Sequence, residues 1–123
     1  MAIHGVGTDI VEIERIRRSL QRHGKRFQEK IFTPSEQAYC NKYKDSAPNY
    51  AGRFAAKEAI SKALGTGFGE HLSWLDLEIL PNNQGAPCVH WIKDLAIRFK
   101  NYRFHLSISH SENYAVATVV IEI

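Results

Sequence analysis

The period of the hydrophobic positions changes several times along the chain, and each change marks an element. Residues 2–11 (AIHGVGTDIV) are rich in β-formers and interrupted by Gly5 and Gly7, which predicts an opening strand that bends and ends near Asp9. From Glu12 onward, Ile13, Ile16, Leu20 and Phe27 recur at helical steps, so an amphipathic helix is expected next, with Gly24 as its stop. Thr33-Pro34-Ser35-Glu36 has the form of a second helix start: a hydroxyl cap, proline at the first helical position and glutamate three residues after the cap. That helix is predicted to reach about Lys44. Residues 45–49 (DSAPN) break it, and residues 50–64 (YAGRFAAKEAISKAL) predict a third helix closed by Gly65.

Beyond the loop GTGFGEH, residues 72–80 alternate as a strand, Pro81-Asn82-Asn83-Gln84-Gly85 supplies a turn, and residues 86–90 complete a hairpin. Residues 91–100 fit a short amphipathic helix, and residues 103–110 and 114–123 read as two strands joined at Ser111-Glu112-Asn113. Helices and strands come in runs instead of alternating, which predicts an α+β fold, an antiparallel sheet packed with helices. With 123 residues the chain can bury one core without disulfides or structural metal, so a single domain spanning 1–123 is expected.

Charge distribution says more than the total. The net charge is +3 and the pI about 9.0. Residues 14–30 hold seven basic side chains against two acidic ones, +5, while the rest of the chain has nine against eleven, −2. The protein is therefore a near-neutral domain with one basic segment, and such a segment suits an acidic partner. No stretch approaches the roughly 20 apolar residues of a membrane span, and Asp9 interrupts the N-terminus before a signal-peptide core is complete, so a cytoplasmic protein without membrane contact is expected. Cys40 and Cys88 form no CxxC, and the six histidines show no metal-protease spacing, so a zinc site is not expected.

Three short segments concentrate residues with chemical potential: Gly7-Thr8-Asp9, residues 53–59 (RFAAKEA) with Ser61 and Lys62, and residues 107–111 (SISHS). Asp9 lies in an otherwise apolar strand, where a carboxylate needs a cation, a helix N-terminus or a metal. At 100° per residue, Phe54, Glu58, Ser61 and Lys62 share one face of the third helix, and Arg53, Lys57, Ile60 and Leu64 another. Taken alone, Glu58 and Lys62 read as a surface i,i+4 ion pair worth about 0.3 to 0.5 kcal/mol. The Gly65–Gly69 loop is not a phosphate-binding P-loop, because it follows a helix and lacks the Gly-Lys-Ser/Thr ending. His110, at a strand end among serines, reads more readily as a hydrogen-bonded histidine than as a catalytic one.

Together GTDIVEI, GRFAAKEAISKALGTG and LSISHS closely resemble the signature of the holo-(acyl-carrier-protein) synthases, the small bacterial group of the 4′-phosphopantetheinyl transferases. The resemblance spans nearly the whole chain, in order and spacing. One departure is Ser111, where that family more often has threonine; the hydroxyl is retained. The resemblance implies transfer of 4′-phosphopantetheine from coenzyme A to a serine of apo acyl carrier protein, releasing adenosine 3′,5′-bisphosphate, in support of fatty acid biosynthesis. It implies Asp9, Glu58 and Lys62 as catalytic residues, with Asp9 and Glu58 holding Mg²⁺ and Lys62 near the leaving phosphate. Two carboxylates suit Mg²⁺, which fills its remaining positions with water and phosphate. Arg53, Ser61, Lys62, Gly65, Ser109, His110 and Ser111 are implied coenzyme A contacts. The serine proton goes either to Glu58 or to a water held by Asp9 and the metal, and the sequence leaves both open.

The resemblance further implies a homotrimer with three active sites at subunit interfaces, which would cover an apolar strand face near Tyr114–Ile121. On this reading the basic stripe Arg15, Arg18, Arg22 and Lys25, roughly 170° from the apolar stripe around the helix, meets the acidic carrier protein. The alternative is a non-enzymatic nucleic-acid-binding protein using the same basic helix, but no zinc-finger, RNP or helix-turn-helix signal accompanies it.

Overall fold

The computed structural model describes residues 1–123. Its longest strand, β1 (Ile3–Glu12), passes through Asp9 without ending there and leads directly into α1 (Ile13–His23). Gly24, at φ 47°, turns the chain sharply into a separate helix α2 (Lys25–Ile31). The single stripe expected from Ile13 to Phe27 is thus carried by two helices, and Lys25 starts the second one. Thr33 caps α3 (Pro34–Cys40) through the capping box its sequence predicts: its hydroxyl accepts from the Glu36 N–H, and the Glu36 carboxylate accepts from the Thr33 N–H.

The next helix, α4 (Ala47–Leu64), starts three residues earlier than its hydrophobic pattern suggests. Pro48 stands in its first turn, where proline's missing N–H costs nothing, so a residue read as a breaker is part of a start. Gly65, at φ 80°, provides the left-handed cap at its end. A 3₁₀ turn (Trp74–Asp76) then precedes β2 (Leu77–Pro81), which pairs with β3 (Pro87–Trp91) as an isolated hairpin. A short α5 (Asp94–Arg98) leads to β4 (Arg103–His110) and β5 (Tyr114–Glu122).

The main sheet is antiparallel, with β5 between β1 and β4, so the first and last strands of the chain are neighbours. On β5, Ala115, Ala117, Val119 and Ile121 face inward and are fully buried, while Tyr114, Val116, Thr118 and Val120 face outward. Helix α4 lies across the inner face, chiefly over β1 and β5. Its contact side is made of Ala51, Ala55, Ala56, Ala59 and Ala63, and the strand beneath it carries Gly5 and Gly7. A Cβ on Gly7 would stand 1.9 Å from the Ala59 carbonyl oxygen, and one on Gly5 2.0 Å from that of Ala63. The glycines therefore let a helix backbone rest directly on a strand backbone. Gly7→Ala is expected to push α4 off β1 at a cost of about 1 to 3 kcal/mol or more, read as a lowered midpoint in urea unfolding.

The candidate active site

Alternation along β1 points Asp9 toward α4, and the close approach set by Gly5 and Gly7 brings it under the exposed flank of that helix. There Lys62 Nζ donates to Asp9 Oδ1 at 3.0 Å and to the Thr8 carbonyl at 3.1 Å. Lys62 thus bridges to the strand, and the helical ion pair with Glu58 suggested by their spacing is not formed. Glu58, one turn earlier on the same flank, is half-buried. Burial pushes its carboxyl pKa above the ordinary value, the Asp9 carboxylate raises it further, and Lys62 partly offsets both. Two carboxylates from different elements, with one ammonium held on Asp9, form a centre suited to a cation or to a phosphate carried by one.

The other residues singled out from sequence lie elsewhere. Arg53 is only 7% exposed; its Nε donates to the Ile79 carbonyl at 3.1 Å, and its guanidinium lies 4.3 Å above the Tyr39 ring. It lines a cleft of about 260 Å³ with Tyr39, Gly52, Pro87, Ile108 and His110. Any side chain at Gly52 would press on Ile108 within that cleft, at 3.0 Å for its Cβ. Ser109 is exposed on the outer face of the sheet, and the Ser111 hydroxyl accepts from the Tyr114 N–H at 3.3 Å, closing the β4–β5 turn. Ser61 is 1% exposed and donates to the Glu58 carbonyl at 2.7 Å, so its hydroxyl is spent inside the helix. Gly65 is exposed at the end of α4, just beyond Lys62.

Two clusters result, Asp9 with Glu58 and Lys62, and Arg53 with His110. Asp9 is on β1 and His110 on β4, the two edges of the sheet, with β5 between them, a separation of about 10 Å across two strand spacings. Glu58 and Arg53 likewise point about 140° apart around α4. Within one chain the clusters occupy opposite flanks of the helix.

The charged surface lies beside the first cluster. Arg15, Arg18 and Arg22 are exposed along α1 without acidic partners, and Lys25, Arg26 and Lys30 continue the basic surface on α2. Arg17 is different: it binds Glu14 at 2.6 Å and Asp45 at 2.7 Å, and its hydrogen bond holds the Asp45 carboxyl below the usual range. Lys30 also rims a groove walled by Phe68, Leu72, Trp74 and Leu75. Trp74 is stacked against Phe54 at 5.1 Å and Phe68 at 3.8 Å between ring centres, and Phe54 sits one turn before Glu58. This aromatic wall was not evident in the sequence, because Phe68 lies in a glycine-rich loop and Trp74, read as part of an alternating strand, stands in a 3₁₀ turn.

Known proteins give this arrangement its context. The family model described as 4′-phosphopantetheinyl transferase superfamily matches residues 5–119. A holo-[acyl-carrier-protein] synthase of Geobacillus kaustophilus is 51% identical over 98% of this chain and 89% of its own length. The crystal structure of a holo-[acyl-carrier-protein] synthase from Neisseria meningitidis superposes with a TM-score of 0.91 at 34% identity, covering 99% of this chain and 100% of that one. One from Bacillus anthracis, in complex with CoA (3′,5′-ADP), superposes with a TM-score of 0.82 at 40% identity, covering 97% and 96%. A family match across most of the chain, near-complete alignment with these synthases and a shared fold place the chain in the 4′-phosphopantetheinyl transferase superfamily, among the holo-(acyl-carrier-protein) synthases.

Proposed function

We propose that this chain transfers 4′-phosphopantetheine from coenzyme A to a serine of apo acyl carrier protein, leaving adenosine 3′,5′-bisphosphate, and that it acts in the cytoplasm in support of fatty acid biosynthesis. The observation that carries the reading is the convergence of Asp9, Glu58 and Lys62 at the contact of β1 with α4, in a chain that aligns end to end with synthases of that name. No helix is long and apolar enough to cross a membrane. The same alignments favour the enzyme over the nucleic-acid-binding alternative, and on this reading the basic helices meet the carrier protein.

The serine oxygen of the carrier bonds to the phosphorus attached to pantetheine, and the bond from that phosphorus to the bridging oxygen breaks. Asp9 and Glu58 are the residues that would hold Mg²⁺; when bound, the ion would offset negative charge growing on the phosphate oxygens. The fit rests on the donor set, two carboxylates brought to one flank by β1 and α4, with Asp9 raising the charging cost of Glu58, which a divalent cation would relieve. The serine proton passes to Glu58 or to a water beside Asp9, both of which stand on the flank where β1 meets α4. Lys62, half-exposed beside Asp9, supplies positive charge toward the departing bisphosphate. Gly65 leaves the adjoining backbone open, and Arg53, His110, Ser109 and Ser111 are assigned to the nucleotide end of coenzyme A. Ser61 enters only through the helix backbone it braces.

The two clusters lie on opposite flanks of α4, and on this reading a ligand that touches both spans two copies of the chain. The outer face of the sheet offers the contact: Val6 and Ile10 are 62% and 64% exposed, beside Tyr114, Val116 and Val120. An apolar surface of this kind on a small domain marks an association site, and a homotrimer with sites between subunits uses it. Release of adenosine 3′,5′-bisphosphate only when coenzyme A, Mg²⁺ and apo carrier are all present tests the reaction; release without carrier would refute it.

The exposed arginines of α1 steer the carrier. Arg18→Glu/Arg22→Glu is expected to raise the KM for apo carrier at least about tenfold at low salt, with the gap narrowing as salt is added, and to leave the KM for coenzyme A nearly unchanged. Steady-state kinetics with each substrate varied in turn checks this.

A further inference from the structure

Lys57 has no part in the chemistry described so far, yet its environment is the most constrained in the molecule. Its ammonium is fully buried and donates three hydrogen bonds: to the Ile31 carbonyl at 2.8 Å, to Glu36 Oε1 at 2.7 Å and to the Trp74 carbonyl at 2.8 Å. Glu36 is equally buried; Oε1 also accepts from the Thr33 N–H and Oε2 from the Ile79 N–H at 2.7 Å. One ion pair thereby ties together the end of α2, the start of α3, α4, the 3₁₀ turn and β2.

Packing alone does not require a charge here, since a buried ion pair is often replaceable by apolar residues of similar volume. Directionality is what apolar contacts do not supply. The contact side of α4 is alanine over glycine, a smooth surface with few ridges to resist rotation or sliding of the helix over the sheet. Three hydrogen bonds on one nitrogen fix both rotation and height at residue 57. Glu58 is the next residue, and it leaves the helix on the flank where Asp9 waits. The same nitrogen holds the backbone of Trp74, whose ring forms the aromatic wall one turn from Glu58.

We propose that the Lys57–Glu36 pair is a positioning device that locks the register of α4 on β1, and so sets Glu58 against Asp9 and the aromatic wall beside them. The inference rests on the transferase reading for its kinetic consequence, whereas metal binding by the free protein tests it without substrate.

The test is the double variant Glu36→Gln/Lys57→Met, which removes both charges and keeps one side-chain oxygen to accept from either the Thr33 or the Ile79 N–H. Binding of Mn²⁺, as the probe ion, is followed by the spin-resonance signal of the free ion in the absence of coenzyme A and carrier. The double variant is expected to fold, to bind Mn²⁺ about 10- to 100-fold more weakly, and to lose kcat by a similar factor with the KM for coenzyme A changed less than about threefold. Phe104→Leu serves as a control, because it thins the aromatic cluster of Trp91, Phe99 and Tyr102 without touching Lys57 or Glu36; it lowers Tm and leaves Mn²⁺ affinity as it was. A folded double variant with Mn²⁺ affinity and kcat within about twofold of the unaltered protein would overturn the proposal. So would an equal loss of Mn²⁺ affinity in Phe104→Leu, since general loosening would then explain the effect. If the double variant fails to fold, the near-isosteric Glu36→Gln carries the same comparison, with a loss of about threefold or more expected and an unchanged affinity decisive against it. Absence of Mn²⁺ binding by the unaltered protein would instead defeat the metal role of Asp9 and Glu58, and the positioning role would then stand or fall on kcat alone.

Discussion

Asp9→Ala and Glu58→Ala each lower carrier modification by on the order of 10³-fold while the chain still folds. Both carboxylates stand at the one place where β1 and α4 bring charged groups together, and neither is needed to hold the elements in contact, which the glycines and alanines do. Stability measured without metal separates this account from a structural role. The Glu58 pKa is raised in the folded chain by burial and by Asp9, so the folded state binds that proton more tightly than the unfolded state. The unfavourable contribution is absent below the unfolded pKa, sets in as pH rises through it, and is complete above the folded pKa. Glu58→Gln is therefore expected to unfold at a higher temperature than the unaltered protein at pH 7 in the presence of a chelator, with the difference vanishing toward acid pH. A variant that is more stable and inactive is what a charge kept for function produces. Activity near that of the unaltered protein, or a Tm lowered at pH 7, would contradict the assignment.

The second large effect concerns the division of the site between copies. Asp9→Ala and His110→Ala are each expected to be nearly inactive, the second by on the order of 10²-fold. Mixed in equal amounts under conditions that allow subunits to exchange, the two inactive proteins regain about a quarter of the unaltered activity, because one interface in four pairs an intact Asp9 with an intact His110 of the neighbour. If both residues served one site within a single chain, every site in the mixture would still lack one of them, and no activity would return. The opposite flanks of α4 on which the two clusters lie lead to the first outcome.

Much of this architecture is legible in the residues. The Thr33-Pro34-Ser35-Glu36 capping box, the Gly65 cap, the hairpin around Pro81–Gly85 and the antiparallel end strands all form where local chemistry places them. Pro48 and the restart after Gly24 are local misreadings; the others share a cause, a partner remote in sequence. Glu58 and Lys62 have ideal helical spacing, but Asp9, more than fifty residues away, takes the lysine. Gly5 and Gly7 read as a bend in a strand, whereas their main consequence is the approach of α4. Lys57 reads as sharing a helix face with Arg53, Ile60 and Leu64, and nothing local shows that Ile31, Glu36 and Trp74 converge on it. Gly24 was legible as a stop, but the immediate restart of α2 placed Lys25 and Phe27 on a second axis. The candidate site residues stand out through the combined motifs and not through any one of them, since Asp9 alone or His110 alone has an ordinary structural explanation.

The claim on which all of this depends is the transfer reaction, and the mass of the carrier reads it directly. Apo acyl carrier protein incubated with this protein, coenzyme A and Mg²⁺ should gain the mass of one phosphopantetheine group, located on one serine, and a carrier with that serine replaced by alanine should gain nothing. An unchanged apo carrier, in a mixture where a known synthase converts the same preparation, would contradict the account.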